Sequence, residues 1–102
     1  MQIATEVVAG KAVLNLNGRF DFHSHRDFRG AYEAALDEAG VREIAINFSQ
    51  VDYLDSSALG MLLLLREKSE AAGKSVALIG LQGMVKQVLE IANFGKLFSI
   101  QA

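Results

Sequence analysis

Apolar and polar residues alternate from Lys11 to Asn17, where Ala12, Leu14 and Leu16 interleave with Val13, Asn15 and Asn17. That period of two predicts a strand with one buried side. Gln2 to Val8 reads as a strand before it, and Ala9-Gly10 supplies the tight turn of a hairpin. Gly18 then bends the chain toward Phe20-Asp21-Phe22. The period changes at Ser24, which with Asp27 three residues on predicts a helix starting near His25. Phe28, Ala31, Ala35, Leu36 and Ala39 recur at helical spacing until Gly40. Val41 to Phe48 is a central-strand candidate, with Ile44, Ile46 and Phe48 on one side.

A second helix is expected over Ser57 to Ala72, with Leu59, Leu62, Leu63 and Arg66 sharing one side, and Gly73 ending it. This register puts Leu63 in the core. Ser75 to Ile79 is nearly all apolar, as in a strand covered by helices on a parallel sheet. Met84, Val85, Val88, Leu89 and Ala92 mark a third helix, Asn93 and Gly95 end it, and Leu97 to Ile100 offers a last edge strand. The order predicts an α/β sandwich whose sheet is mixed because it opens with a hairpin.

With 102 residues and no linker-like tract, the chain is expected to form a single domain, residues 1–102, around one core. Ten basic and twelve acidic residues leave a formal charge of −2, spread along the sequence, so no direct contact with nucleic acid is expected. The absence of cysteine removes disulfides, thiol catalysis and Cys-ligated zinc, and fits a reducing, cytoplasmic setting. The opening MQIATEVVAG lacks the pattern of a secretion signal, and no apolar run approaches the ~18 residues of a membrane span, so no direct membrane insertion is expected.

The chemistry concentrates in Asp52 to Leu65, DYLDSSALGMLLLL, where a carboxylate and two hydroxyls precede an abrupt apolar run. At a helix start Ser56 or Ser57 can cap, act as a nucleophile or accept a phosphoryl group. Nucleophilic catalysis needs a base and an oxyanion site, yet His23 and His25 are the only imidazoles and no GxSxG elbow occurs. These two histidines lack the further clustered ligands of a metal site, and neither GxxxxGKS nor GxGxxG is present, so no cofactor, metal or enzymatic activity is expected. Tyr53, Leu54, Met61 and Leu64 offer apolar anchors for a docking surface, with Asp52 and Asp55 at its rim. Spacing does not choose between Ser56 and Ser57.

The stretch VDYLDSSALGMLLLLREKSEAAGKSVALIG resembles the STAS domain of bacterial anti-sigma factor antagonists, whose signature here is Asp55, Ser56, Ser57, Ala58, Leu59 and Gly60. Ala58 stands where many relatives have glycine. Upstream, LNLNGRFDFHSHRDFR resembles the family's second strand and Gly-x-x-Asp, matching Gly18 and Asp21; downstream, GMVKQVLEIANFGKLFSI resembles its third helix and C-terminal segment. The resemblance implies a STAS-like sandwich, a mixed sheet of four to five strands with an N-terminal hairpin and three to four helices.

It further implies that an anti-sigma factor with serine kinase activity phosphorylates Ser57, that a metal-dependent serine phosphatase reverses the mark, and that only the unphosphorylated domain binds. Asp21 and Asp55 would shape the recognition surface. With the docking residues read from the chain, the expected partner-binding set is Asp21, Asp52, Tyr53, Asp55, Ser56, Ser57 and Met61. Other members of the family are small cytoplasmic subunits of lipid-transport ABC complexes, which implies an alternative role as a constitutively bound subunit.

Overall fold

The computed structural model describes residues 1–101, and the expected hairpin opens it: strand β1 (Gln2–Val8) pairs antiparallel with β2 (Lys11–Phe20). Ala9 and Gly10 both have positive φ, 51° and 81°, the conformation that lets a two-residue turn match the twist of its strands. The chain continues through α1 (His25–Leu36), β3 (Glu43–Leu54), α2 (Ser56–Ala71), β4 (Ser75–Ile79), α3 (Gly83–Ile91) and β5 (Ser99–Gln101). Short 3-10 turns at Phe22–Ser24 and Phe94–Lys96 complete the path.

The five strands lie in the order β1-β2-β3-β4-β5, and every pair after the hairpin is parallel. Each parallel strand is added beside the previous one in the same direction, so right-handed crossovers put all the helices on one face. The buried helix residues agree: Phe28 and Tyr32 of α1, Leu62 and Leu65 of α2, and Val85 and Leu89 of α3 join one cluster with Leu14, Leu16, Ile44, Ile46, Val76 and Leu78. The architecture is the expected α/β sandwich with a mixed five-stranded sheet.

Several boundaries differ from the sequence expectation, each for a local reason. Gly18 does not bend the chain but stays within β2 at φ 111°, paired with Val51, and the strand continues to Phe20. Ser24 does not cap α1: its hydroxyl donates to Arg19 O at 3.0 Å, and Asp21 caps the 3-10 turn instead. Helix α1 ends at Leu36, before Gly40, where the Lys74 ammonium donates to Leu36 O at 2.6 Å and Glu38 O at 2.8 Å. A cation on the last carbonyls both satisfies them and complements the helix dipole. The last strand is displaced to Ser99–Gln101 because the 3-10 turn buries Phe94 and Phe98 first.

The largest departures are in β3 and α2. β3 continues through Leu54, six residues past Phe48, because two bulges absorb its loss of alternation. Asn15 and Asn17 pair with Asn47 and Gln50, and Gly18 and Arg19 with Val51 and Tyr53, so both extra residues belong to β3. Phe48, Val51 and Leu54, spaced by three, therefore all face the core. In α2 the buried face is Ala58, Met61, Leu62, Leu65 and Ser69, and Leu63 is 41% exposed, which corrects the expected burial of Leu63. Four consecutive leucines, Leu62 to Leu65, carry no phase of their own; the helix start at Asp55 sets it.

Candidate functional site at the start of the second helix

Strands β2 and β3 end side by side, with Phe20 registered against Leu54 and both buried. The next residue on each strand is an aspartate, so Asp21 and Asp55 emerge together at the C-terminal edge of the parallel sheet. Ligand sites of open α/β sheets lie outside the carboxyl ends of the strands. The two have almost the same extended backbone, φ −127° and ψ −171° for Asp21, φ −121° and ψ −174° for Asp55. Each caps the helical turn after it: Asp21 Oδ1 accepts from His23 N at 3.0 Å, and Asp55 Oδ1 accepts from Ala58 N at 3.1 Å. Asp55 N donates to Phe20 O at 3.3 Å, fastening the start of α2 to the end of β2.

With Asp55 as N-cap, Ser56 and Ser57 are the first two helical residues, and both are exposed. Their N–H groups are among those a helix start leaves without intrahelical partners, and no other acceptor meets them among the described residues. Ser57 lines an open depression of about 270 Å³ together with Phe22, His25, Gly60, Met61 and Leu64. Leu64 is 37% exposed and Phe22 63% exposed, so the walls are apolar and accessible. No hydrogen bond joins Ser57 Oγ to an imidazole or a carboxylate among the described residues. The hydroxyl is an unactivated, accessible group on a positive helix end.

The other expected site residues distribute around it. Tyr53 lies under the Arg19 guanidinium, 4.0 Å from ring centroid to Cζ, and Arg19 Nε stands 3.8 Å from Asp21 Oδ2. Asp52 is exposed at the second bulge of β3. Met61 is largely buried yet contributes to the floor of the depression. Leu54, considered as an apolar docking anchor, is 2% exposed and belongs to the core instead, because the bulges turn it inward. No group of three or more potential metal ligands occurs among the described residues.

Three neighbours were not placed in the docking set from the sequence: Arg19, Phe22 and His25, the last weighed only as a catalytic base or metal ligand. Phe22 carried no signal of its place, since strand spacing would put its ring on the same side as Phe20, and only the 3-10 turn that begins at Phe22 sends it outward. Arg19 and His25 reach the site only through the pairing of β2 with β3 and the packing of the first 3-10 turn near α2, neither of which is local in sequence.

The family model described as "Mlab, STAS domain" matches residues 3–100. The chain belongs to the STAS domain family. A STAS-domain containing protein of Pseudomonas aeruginosa is 41% identical over 87 residues, spanning 85% of this chain and 84% of the relative. An anti-sigma F factor antagonist of Lysinibacillus sphaericus is 27% identical over 97 residues, spanning 93% of this chain and 82% of the relative. Among solved structures, the anti-sigma factor antagonist SpoIIAA in its unphosphorylated form superposes with a TM-score of 0.75 at 24% identity, covering 99% of this chain and 88% of that one. The STAS fold thus accounts for the sheet order, the hairpin and the single-sided helices.

Proposed function

We propose that residues 1–102 act as one STAS domain that antagonises an anti-sigma factor in the cytoplasm, binding it while Ser57 is unmodified and releasing it when Ser57 is phosphorylated. The observation that carries this reading is an exposed, unactivated hydroxyl on the first turn of α2, beside an apolar depression and two uncommitted backbone N–H groups. A phosphoryl group on Ser57 would be met by those donors and the helix dipole, while changing the docking face by about −1.5 to −2 charges. The binding partner is an anti-sigma factor with serine kinase activity, and a serine phosphatase resets the domain. Asp21, Asp52, Tyr53, Asp55, Ser56 and Met61 frame the contact with Ser57.

Peptide-resolved mass spectrometry after incubation with ATP and the host's serine-kinase domains tests the chemistry, with one phosphate expected, on Ser57. Calorimetric titration against the anti-sigma protein tests the switch: Ser57→Ala retains binding and Ser57→Asp weakens it. Equal affinities for the two variants, with both melting like the wild type, would sink the switch.

A second reading has its own support. Leu63 and Leu64 stay 41% and 37% exposed along α2, an apolar strip suited to a persistent partner. In this reading the domain is a constitutive subunit of a lipid-transport ABC complex, and Ser57→Asp co-purifies with the same partner as the wild type.

A further inference from the structure

β1 is the outermost strand of the sheet and is bonded to β2 along one side only. The backbone groups on its other side meet no acceptor or donor among the described residues. Natural proteins protect such edges with charged side chains, proline, a bulge or brevity. Only the first is used here, and only once: β1 is seven residues long, QIATEVV, without lysine or proline, and pairs with β2 in unbroken register. Its one charged side chain, Glu6, is held by Asn15 Nδ2 at 2.9 Å, and Val7 and Val8 are 49% and 62% exposed. The opposite edge, β5, has only three residues.

We infer that β1 pairs antiparallel with β1 of a second copy of this chain, about a twofold axis at Thr5, so that one sheet runs through both copies. The register is dictated by the pleat. Alternate residues of an edge strand direct their N–H and C=O outward, so a twofold antiparallel pair must centre on a residue rather than between two. Centring on Glu6 opposes two carboxylates and leaves Gln2 and Ile3 unpaired; centring on Ala4 leaves Val7 and Val8 unpaired. Centring on Thr5 engages the whole strand, with Thr5 against Thr5, Ile3 against Val7, Ala4 against Glu6 and Gln2 against Val8.

Threonine pairs and apolar pairs are favourable cross-strand neighbours, and no like charges face each other. Ile3, Thr5 and Val7 register with Leu16, Leu14 and Ala12, the buried side of β2. The paired Ile3 and Val7 therefore extend the covered apolar face across the axis. Because no β1 residue lines the Ser57 depression, this inference stands or falls independently of the phosphorylation reading.

Light scattering coupled to size exclusion, on the full chain over a concentration series, reads the mass directly. The wild type is expected to rise to twice the monomer mass. Thr5→Lys and Thr5→Glu, each opposing like charges on the axis, are expected to stay monomeric, and their equimolar mixture to recover the doubled mass because one Lys then faces one Glu. Val7→Lys, at an exposed position off the axis, gives the same loss should Thr5→Lys melt early. A wild type monomeric at every concentration, or dimeric Thr5 and Val7 variants, overturns the interface; a mixture that stays monomeric overturns the Thr5 register.

Discussion

Truncating Leu62 to alanine, beside the same truncation of Leu63, measures the rotation of α2 that exposes Ser57. Leu62 is fully buried among the sheet residues of the core, whereas Leu63 is 41% exposed. Removing a fully buried leucine side chain loses its transfer free energy and leaves a cavity, together about 2–5 kcal/mol. At Leu63 the partial burial holds less than the ~1.5–3 kcal/mol of a fully buried leucine, no enclosed cavity forms, and alanine is the better helix former, so the expected loss is below about 1 kcal/mol. Urea unfolding monitored by circular dichroism distinguishes them: with a slope of about 1–3 kcal/mol per molar, Leu62→Ala moves the midpoint by about 1 M or more and Leu63→Ala by a few tenths. The reverse order, or two equal losses, would refute the register. Ser57 would then no longer be placed on the exposed first turn.

Gly80 has φ 70°, and a Cβ there would lie 2.5 Å from Asn47 Oδ1 and 3.0 Å from Ser49 N, so Gly80→Ala is expected to destabilise by more than the ~1–2 kcal/mol of the left-handed backbone alone, read from a denaturant melt. The Tyr32 hydroxyl is buried without a hydrogen-bond partner among the described residues, and burial raises its pKa. Tyr32→Phe removes that unsatisfied group, and since such a group costs about 1–3 kcal/mol, the variant is expected to melt at or above the wild-type temperature; a clear drop would reveal a partner for the hydroxyl.

The strands were readable wherever one side of the sheet is buried and the other wet, as in Ala12, Leu14 and Leu16, because burial then imposes a period of two on composition. That signal fails in β3 beyond Phe48. Ser49, Gln50 and Asp52 look like loop, yet the two bulges let polar residues point outward while Val51 and Leu54 keep the core. The phase of α2 failed for the opposite reason: Met61 to Leu65 is apolar throughout, so any rotation buries a hydrophobic side chain. The rotation is selected by the Asp55 cap together with Ala58 against the sheet, a contact decided three residues before the ambiguity begins. The candidate hydroxyls were legible as a motif, but their surroundings were not, since Phe22 and His25 arrive from the first 3-10 turn and α1.

The electrostatics of the site bear on where a phosphorylation signal would be felt. A phosphoryl group at Ser57 would gain the helix end, typically about 0.3–1 kcal/mol at an exposed position, and the two free N–H groups of the first turn. Opposing it are Asp55 and Asp21, but both carboxylates already accept backbone hydrogen bonds, and Arg19 stands beside Asp21. The local terms are small and of opposite sign, so the modified domain keeps its own stability. A partner docked on this depression would meet no such compensation, because Phe22, Met61 and Leu64 beside Ser57 must be desolvated by any partner that covers them. Covering a doubly charged group along with that apolar wall carries a desolvation penalty that one added charge pair recovers only with near-ideal geometry. A switch built this way acts on the complex and leaves the fold alone, which is why Ser57→Asp and Ser57→Ala should differ in affinity while sharing a melting curve.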